Sequence, residues 1–282
     1  MIVELVCSDV DGTIVASKYP ETIISARTSN AVECICNQGI KFVLASGRPL
    51  RTMLPVAKLL NYTGIMICLN GALVYDYKKK LKLYSISMNS STISQLITQN
   101  VSIFGADVGF GLESGTKFLC DQKYFELRHA YIDHEYSLFD NIISMIEAVE
   151  SAEKVIIIHE HLPAPELYPK LLEHFAGGEW QKKIHISLGS PHFIDISSAG
   201  VNKGMALKKL CQDMNIQAEN TVAFGNMLND FEMLGFAGTG VAVADAHPLL
   251  LDSADLITDT CSNDGVAMVL EHIIMDRCQQ KS

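Results

Sequence analysis

The sequence contains no apolar run of about 18 residues or more, so nothing in it reads as a membrane-spanning helix and no membrane partner is expected. Its start, Met1-Ile-Val-Glu-Leu-Val-Cys7, lacks the basic and apolar regions of a secretory signal and runs straight into a strand-like pattern, from which a cytoplasmic protein is expected. Positive charge is scarce: 22 Lys and Arg stand against 32 Asp and Glu, for a formal net charge of −10. A chain this acidic offers no broad basic surface to a phosphate polymer, which argues against nucleic acid as a partner. The one basic run, Lys78-Lys79-Lys80 with Lys82, lies between two apolar strand-like stretches and reads as a solvated hairpin turn. Cysteine is present but unpatterned. The eight thiols are scattered, and their one close pair, Cys34 and Cys36, is spaced C-x-C within a helical stretch, so neither a disulfide framework nor a zinc site is indicated.

What remains is a chain that can fold well. Apolar residues make up 48% and charged residues 19%, the balance of a packed globular protein. A single core stops growing at roughly 250 to 300 residues, so the 282 residues suggest two domains. Residues 2–8 read as a buried strand ending in Asp9-Val-Asp-Gly-Thr13. A helix follows over about 25–38, with Ser25 as its N-cap and Gly39 as its stop. Next come a strand at 40–45, the turn Ser46-Gly-Arg-Pro49, a helix to about Leu60, and a strand at 65–69 ending in Asn70-Gly-Ala72. Strand, polar turn and helix repeat in this way in α/β proteins whose parallel sheet is covered on both faces, and ligands gather there at the carboxyl ends of the strands.

Between about Leu83 and Gly189 strands come in adjacent pairs, which predicts antiparallel pairing in a separate α+β segment inserted into the first domain. After Gly200 the alternation returns, with a helix at 202–214, a strand at 221–224 and the turn Gly225-Asn-Met-Leu-Asn-Asp230. The expected division is therefore residues 1–84 and 190–282 for one domain and 85–189 for the insertion.

Asp9 and Asp11 are the sharpest chemical feature. Two carboxylates two positions apart at the end of a buried strand can face one small site, and like charges so close resist simultaneous ionisation. One can then attack phosphorus while the other protonates a leaving oxygen and later deprotonates water. Gly12 permits the tight turn, and Thr13 adds a hydroxyl and an amide. A calcium loop is the rival reading of the spacing, but Thr13 stands where such a loop would carry Asp or Asn and Pro20 where it would carry glutamate.

Taken with Ala45-Ser-Gly-Arg-Pro49, Asn70-Gly-Ala72, Gly200-Val-Asn-Lys-Gly204, Gly225-Asn-Met-Leu-Asn-Asp230 and Asn263-Asp-Gly-Val-Ala267, the Asp9 segment resembles the motifs of the haloacid dehalogenase superfamily, specifically its Cof-like phosphatase branch (subfamily IIB). The resemblance covers essentially the whole chain. It implies a Rossmann-like doubly wound parallel sheet with an inserted α+β cap, and hydrolysis of a small phosphorylated metabolite in a cleft under that cap through an aspartyl-phosphate. By resemblance Asp9 is the nucleophile, Asp11 the general acid and base, and Lys203 a third catalytic group. Gly12, Thr13, Ser46, Gly47, Arg48 and Asn229 would bind phosphate, and Mg2+ would be held by Asp9, Asp11, Asn226 and Asp230. Asn226 departs from the pattern, because relatives usually carry aspartate there; a neutral amide should weaken magnesium binding. Two alternatives follow: a phosphomutase of the same superfamily, or a catalytically weakened protein that binds phosphorylated ligands.

Other residues are open from sequence. Arg48 and Asn70 are as well suited to capping as to substrate contact. His159 and His161 share one face of a strand but show no third ligand nearby, which favours ordinary sheet histidines. Phe118, Tyr124, Phe125 and Tyr131 read as cap core. Either a monomer or a homodimer is compatible with the sequence.

Overall fold

The computed structural model describes residues 2–16, 23–132, 135–188 and 190–281; Pro20 and Gly189 lie outside them. The chain forms two compact units, Met1–Tyr84 with Asn202–Ser282, and Ser85–Val201.

The first unit begins with β1 (Leu5–Asp9), α1 (Ala26–Asn37), β2 (Lys41–Ala45), α2 (Leu50–Leu59), β3 (Ile65–Cys68), β4 (Leu73–Asp76) and β5 (Leu81–Ser85). The inserted unit contains β6 (Met88–Asn89), α3 (Ser90–Phe104), β7 (Val108–Ser114), β8 (Lys117–Asp121), α4 (Gln122–Arg128), β9 (Ser137–Phe139) and α5 (Ile142–Glu147). It continues with β10 (Ser151–Ala152), β11 (Lys154–His159), α6 (Ala164–Phe175), β12 (Ile184–Ser187) and β13 (Ile194–Ser198). The first unit then resumes with α7 (Lys203–Met214), β14 (Thr221–Gly225), α8 (Phe231–Phe236), β15 (Thr239–Val243), α9 (Pro248–Ser253), β16 (Leu256–Thr258) and α10 (Gly265–Lys281).

The sheet of the first unit runs β16-β15-β14-β1-β2-β3-β4-β5. Its six strands from β16 to β3 are parallel, and β4 turns back antiparallel on β3. β1 and β14 are buried along their whole length, because helices flank the sheet; their sequences are accordingly almost unbroken apolar runs. The α1 helix packs with α10 and α7 with α8. As the sequence suggests, Ser25 caps α1 by accepting from the Thr28 amide, and Thr28, Ala31, Val32 and Ile35 form its buried stripe. The lysines 78–80 are the exposed turn between β4 and β5. Strand order reverses at β1: the chain leaves it for β2 on one side and returns to β14 on the other. The carboxyl ends of β1 and β14 are therefore the switch point at which such sheets hold ligands.

The inserted unit has a six-stranded sheet, β12-β13-β11-β7-β8-β9, and a two-stranded pair, β10-β6. Alternate residues such as Phe110, Leu112, Val155, Ile157, Ile194 and Ile196 join a core with residues of α3, α5 and α6. Phe118 and Tyr124 pack with Cys120, Ile156 and Ile158 in a smaller cluster, with Phe125 against it, so these rings are core. The side chain of Tyr131 lies outside the described residues. The insertion ends later than the expected residue 189. β13 pairs antiparallel with both β11 and β12, Ile196 lying opposite Val155 and Ile186, so this strand belongs to the inserted unit and the return falls after Val201. Among the described residues no helix is long and apolar enough to cross a membrane.

Candidate active site

At the end of β1 the chain reverses sharply. The Val10 carbonyl accepts from the amides of Thr13, Ile14 and Val15, and Gly12 takes φ +79°. Asp9, only 4% exposed, is held from two sides: Lys203 Nζ lies 2.6 Å from Oδ1, and the Thr13 hydroxyl donates to Oδ2 at 2.9 Å. Lys203 opens α7, where the helix N-terminus disfavours a cation, and it is 1% exposed. It is retained there by two carboxylates. Its ammonium also lies 2.6 Å from Asp230 Oδ1, and the other Asp230 oxygen accepts from the amides of Asn226 and Met227, each at 3.0 Å. Asp230 thereby folds the 225–230 loop around itself and ties it to Lys203.

One ammonium thus serves two buried carboxylates, which leaves a surplus negative charge. Burial, followed by the repulsion of Asp230, pushes the Asp9 carboxyl up from 3.8 to about 7 against the pull of Lys203. For Lys203 burial acts downward, but Asp230 and Asp9 outweigh it and the ammonium is held above its ordinary range.

Asp11 sits differently. The Arg48 guanidinium grips both its oxygens, Nε to Oδ2 at 2.8 Å and Nη2 to Oδ1 at 2.5 Å, and the carboxylate is partly open to solvent. The resemblance assigns Arg48 to the phosphate. In the structure the Arg48 guanidinium holds Asp11. Ser46 follows β2, whose register sets Ala45 beside Asp9, and its hydroxyl accepts from the Arg48 amide at 3.1 Å. Asn226 lies against the Gly12 turn: a Cβ on Gly12 would fall 2.2 Å from its Nδ2. Asn229 donates from Nδ2 to Asn70 Oδ1 at 3.0 Å, and Gly47 lies against the same Asn70 amide, where a Cβ would stand 3.2 Å from Oδ1. Every residue expected at the site therefore lies in the first unit, in linked groups at the switch point. Asn70, left open by sequence, is the member its Asn-Gly turn signal could have placed.

Residues 6–270 match the family of haloacid dehalogenase-like hydrolases. The chain belongs to this family. It falls in the Cof-like phosphatase branch and is a hydrolase of the phosphatase type. It is similar to the 5-amino-6-(5-phospho-D-ribitylamino)uracil phosphatase YcsE of Bacillus subtilis, with 25% identity over 97% of this chain and 96% of that one. It is also similar to the pyridoxal phosphate phosphatase YbhA of Escherichia coli, at 24% identity over 97% of this chain and 100% of that one. Its fold matches that of a haloacid dehalogenase-like hydrolase from B. subtilis, with a TM-score of 0.81 at 22% identity over 96% of this chain and 99% of the other.

The haloacid dehalogenase fold brings together a donor set that suits magnesium. Asp9 and Asp11 with their carboxylate oxygens and Asn226 with its amide oxygen are grouped around one tight turn, while the charge surplus at Asp9 and Asp230 favours a cation. In the inserted unit His161 gains partners that the sequence spacing did not show. Val108 pairs with His159, which sets Asp107 beside Glu160, and Asp107, Glu160 and His161 form a group that could hold a metal ion. His159 stands outside it, its Nδ1 accepting from the amides of His161 and Leu162. Lys123 already pairs with Glu160 at 2.7 Å.

Proposed function

We propose that this phosphatase hydrolyses small phosphorylated metabolites through an aspartyl-phosphate formed on Asp9. The observation that carries this reading is the buried Asp9 carboxylate, held at the carboxyl end of β1 between the Thr13 hydroxyl and the Lys203 ammonium. A carboxylate oxygen of Asp9 attacks phosphorus, the bond to the ester oxygen breaks, and Asp11 gives that oxygen its proton. Water then attacks the phosphoryl group, Asp11 takes the proton back, and the bond to Asp9 breaks. Arg48 keeps Asp11 oriented before substrate arrives. Lys203, Ser46, Gly47, Thr13 and Asn229 present positive charge and hydrogen-bond donors to the phosphoryl oxygens, whose charge grows in the transition state.

Magnesium would be held by the Asp9 carboxylate, the Asp11 main-chain carbonyl and the Asn226 amide oxygen, and would offset negative charge between Asp9 and the phosphoryl group. Asp230 serves this group through Lys203 and the 226–227 amides, where both its oxygens are engaged. The relatives named above take different phosphorylated compounds by name, so the reading stops at the class they share. A screen of phosphorylated metabolites, with and without magnesium, tests it. Steady release of inorganic phosphate that vanishes in Asp9→Asn supports hydrolysis. Isomerised sugar phosphate without net release supports a mutase, and binding without Asp9-dependent release supports a sensor.

Asn226 gives a separate expectation. Restoring a unit charge beside the cation is worth a few kcal/mol before solvent screening. Asn226→Asp should therefore lower the magnesium concentration for half-maximal activity about tenfold, and tighten magnesium binding measured by calorimetry by a similar factor. An unchanged magnesium requirement would refute the idea that Asn226 limits metal affinity.

A further inference from the structure

The residues that close β3 all hold their backbone in the left-handed region: Leu69 at φ 53°, Asn70 at φ 54° and Gly71 at φ 103°. Glycine takes this conformation freely, asparagine tolerates it, and leucine there is strained. The hairpin itself does not demand it. Cys68 pairs with Leu73, and a connection spanning residues 69–72 is most often built on a turn with negative φ at its centre. Three successive positive values in a buried segment point to something else that the turn must hold.

What it holds is the phosphate side of the site. The Leu69 amide donates to the Arg48 carbonyl and the Asn70 amide to the Ser46 carbonyl, both at 3.0 Å, so the turn grips the main chain on both sides of Gly47. Asn70, 3% exposed, accepts at Oδ1 from Asn229 Nδ2 at 3.0 Å. A Cβ on Gly71 would fall 2.4 Å from the carbonyl oxygen of Asn202, the residue that caps α7 immediately before Lys203. One strained turn thus touches the Ser46 loop, the Asn229 loop and the start of the Lys203 helix.

We propose that Asn70 is a positioning residue for phosphoryl binding, and that its Oδ1 engages one hydrogen of the Asn229 amide group so that the other is presented to a phosphoryl oxygen. This rests on the reading in which Asn229 meets the phosphoryl group. Asn70 itself makes no contact with the reacting atoms; it acts through Asn229, and the backbone strain is the cost of placing its amide there.

The test is a double-mutant cycle with para-nitrophenyl phosphate as substrate and orthovanadate as the phosphoryl mimic, both with magnesium present. Asn70→Gly removes the amide yet suits the left-handed backbone, so its melting midpoint should stay close to wild type. Its kcat/KM and its vanadate affinity should each fall about tenfold. In an Asn229→Ala background the same change should cost no more than about twofold, because the partner through which Asn70 acts is gone. Asn70→Ala should match the functional loss of Asn70→Gly and also melt lower, which separates contact from strain. Equal losses in both backgrounds, or wild-type kcat/KM in Asn70→Gly, would overturn the proposal. If wild type released phosphate no faster than Asp9→Asn, the phosphatase reading would fail on its own, and the vanadate arm of the cycle would still decide the role of Asn70. A wild-type protein that bound no vanadate would overturn both.

Discussion

Asp9→Asn is expected to cut phosphate release by at least about 10³-fold, the scale of removing a nucleophile from a set of groups that act as a unit. Asparagine keeps the shape of the side chain, its one oxygen can still accept from Lys203 and its Nδ2 can donate to the Thr13 hydroxyl oxygen, so the loss isolates the nucleophilic oxygen. Stability moves separately. Burial raises the Asp9 carboxyl from 3.8 to about 7. A carboxyl raised in the folded state binds its proton more tightly than in the unfolded chain. Ionising Asp9 therefore removes folding free energy progressively as pH climbs from about 4 through about 7. The substituted protein has no such proton to lose. With divalent metal chelated, its melting midpoint should fall less than that of wild type between about pH 5 and pH 8, as read by circular dichroism. Parallel decline in the two proteins would show that burial does not hold the Asp9 carboxyl above its ordinary range.

Lys203→Met carries the largest expected effect on stability. The ammonium sits 2.6 Å from both Asp9 and Asp230, and all three side chains are almost wholly buried. Methionine fills much of the volume but leaves two carboxylates facing each other without a cation, which in buried sites costs about 3 to 5 kcal/mol. Turnover should fall about 10²- to 10³-fold, since a charged donor to the phosphoryl oxygens is lost. Urea unfolding and phosphate release measure the two effects. Adding Asp230→Asn to Lys203→Met should recover much of the stability and none of the activity, because it removes the repulsion without restoring the cation. If Lys203→Met unfolded within about 1 kcal/mol of wild type, the buried triad would not be the centre of the site's electrostatics.

The parts of this site legible in the sequence are those fixed by main-chain pattern. A strand buried on both faces must be apolar along its length, so Leu5–Cys7 and Thr221–Phe224 announce their ends by the first polar turn, and those turns carry Asp9 and Asn226. Lys203 was legible through the resemblance carried by Gly200-Val-Asn-Lys-Gly204, and the structure places it at the start of a helix that Asn202 caps. Choices among side-chain partners were not. Nothing in the spacing says that Arg48 would take Asp11 rather than a phosphate, or that Asn229 would donate to Asn70; those pairs join segments 37 and 159 residues apart, and packing decides them. Ile194–Ser198 alternates apolar and polar residues as a strand of either unit could, and only its pairing with β11 and β12 assigns it. The Asp107, Glu160 and His161 group likewise depends on the register between β7 and β11, which periodicity leaves open.

The most direct test of the central claim is a crystal structure of the protein soaked with magnesium and beryllium fluoride, which mimics a phosphoryl group bound to a carboxylate. The account predicts trifluoroberyllate density with beryllium bonded to an Asp9 oxygen and its fluorines within hydrogen-bonding reach of Lys203 and Thr13. Density that settles on another residue, with the Asp9 side chain still closed between Lys203 and Thr13, would contradict it.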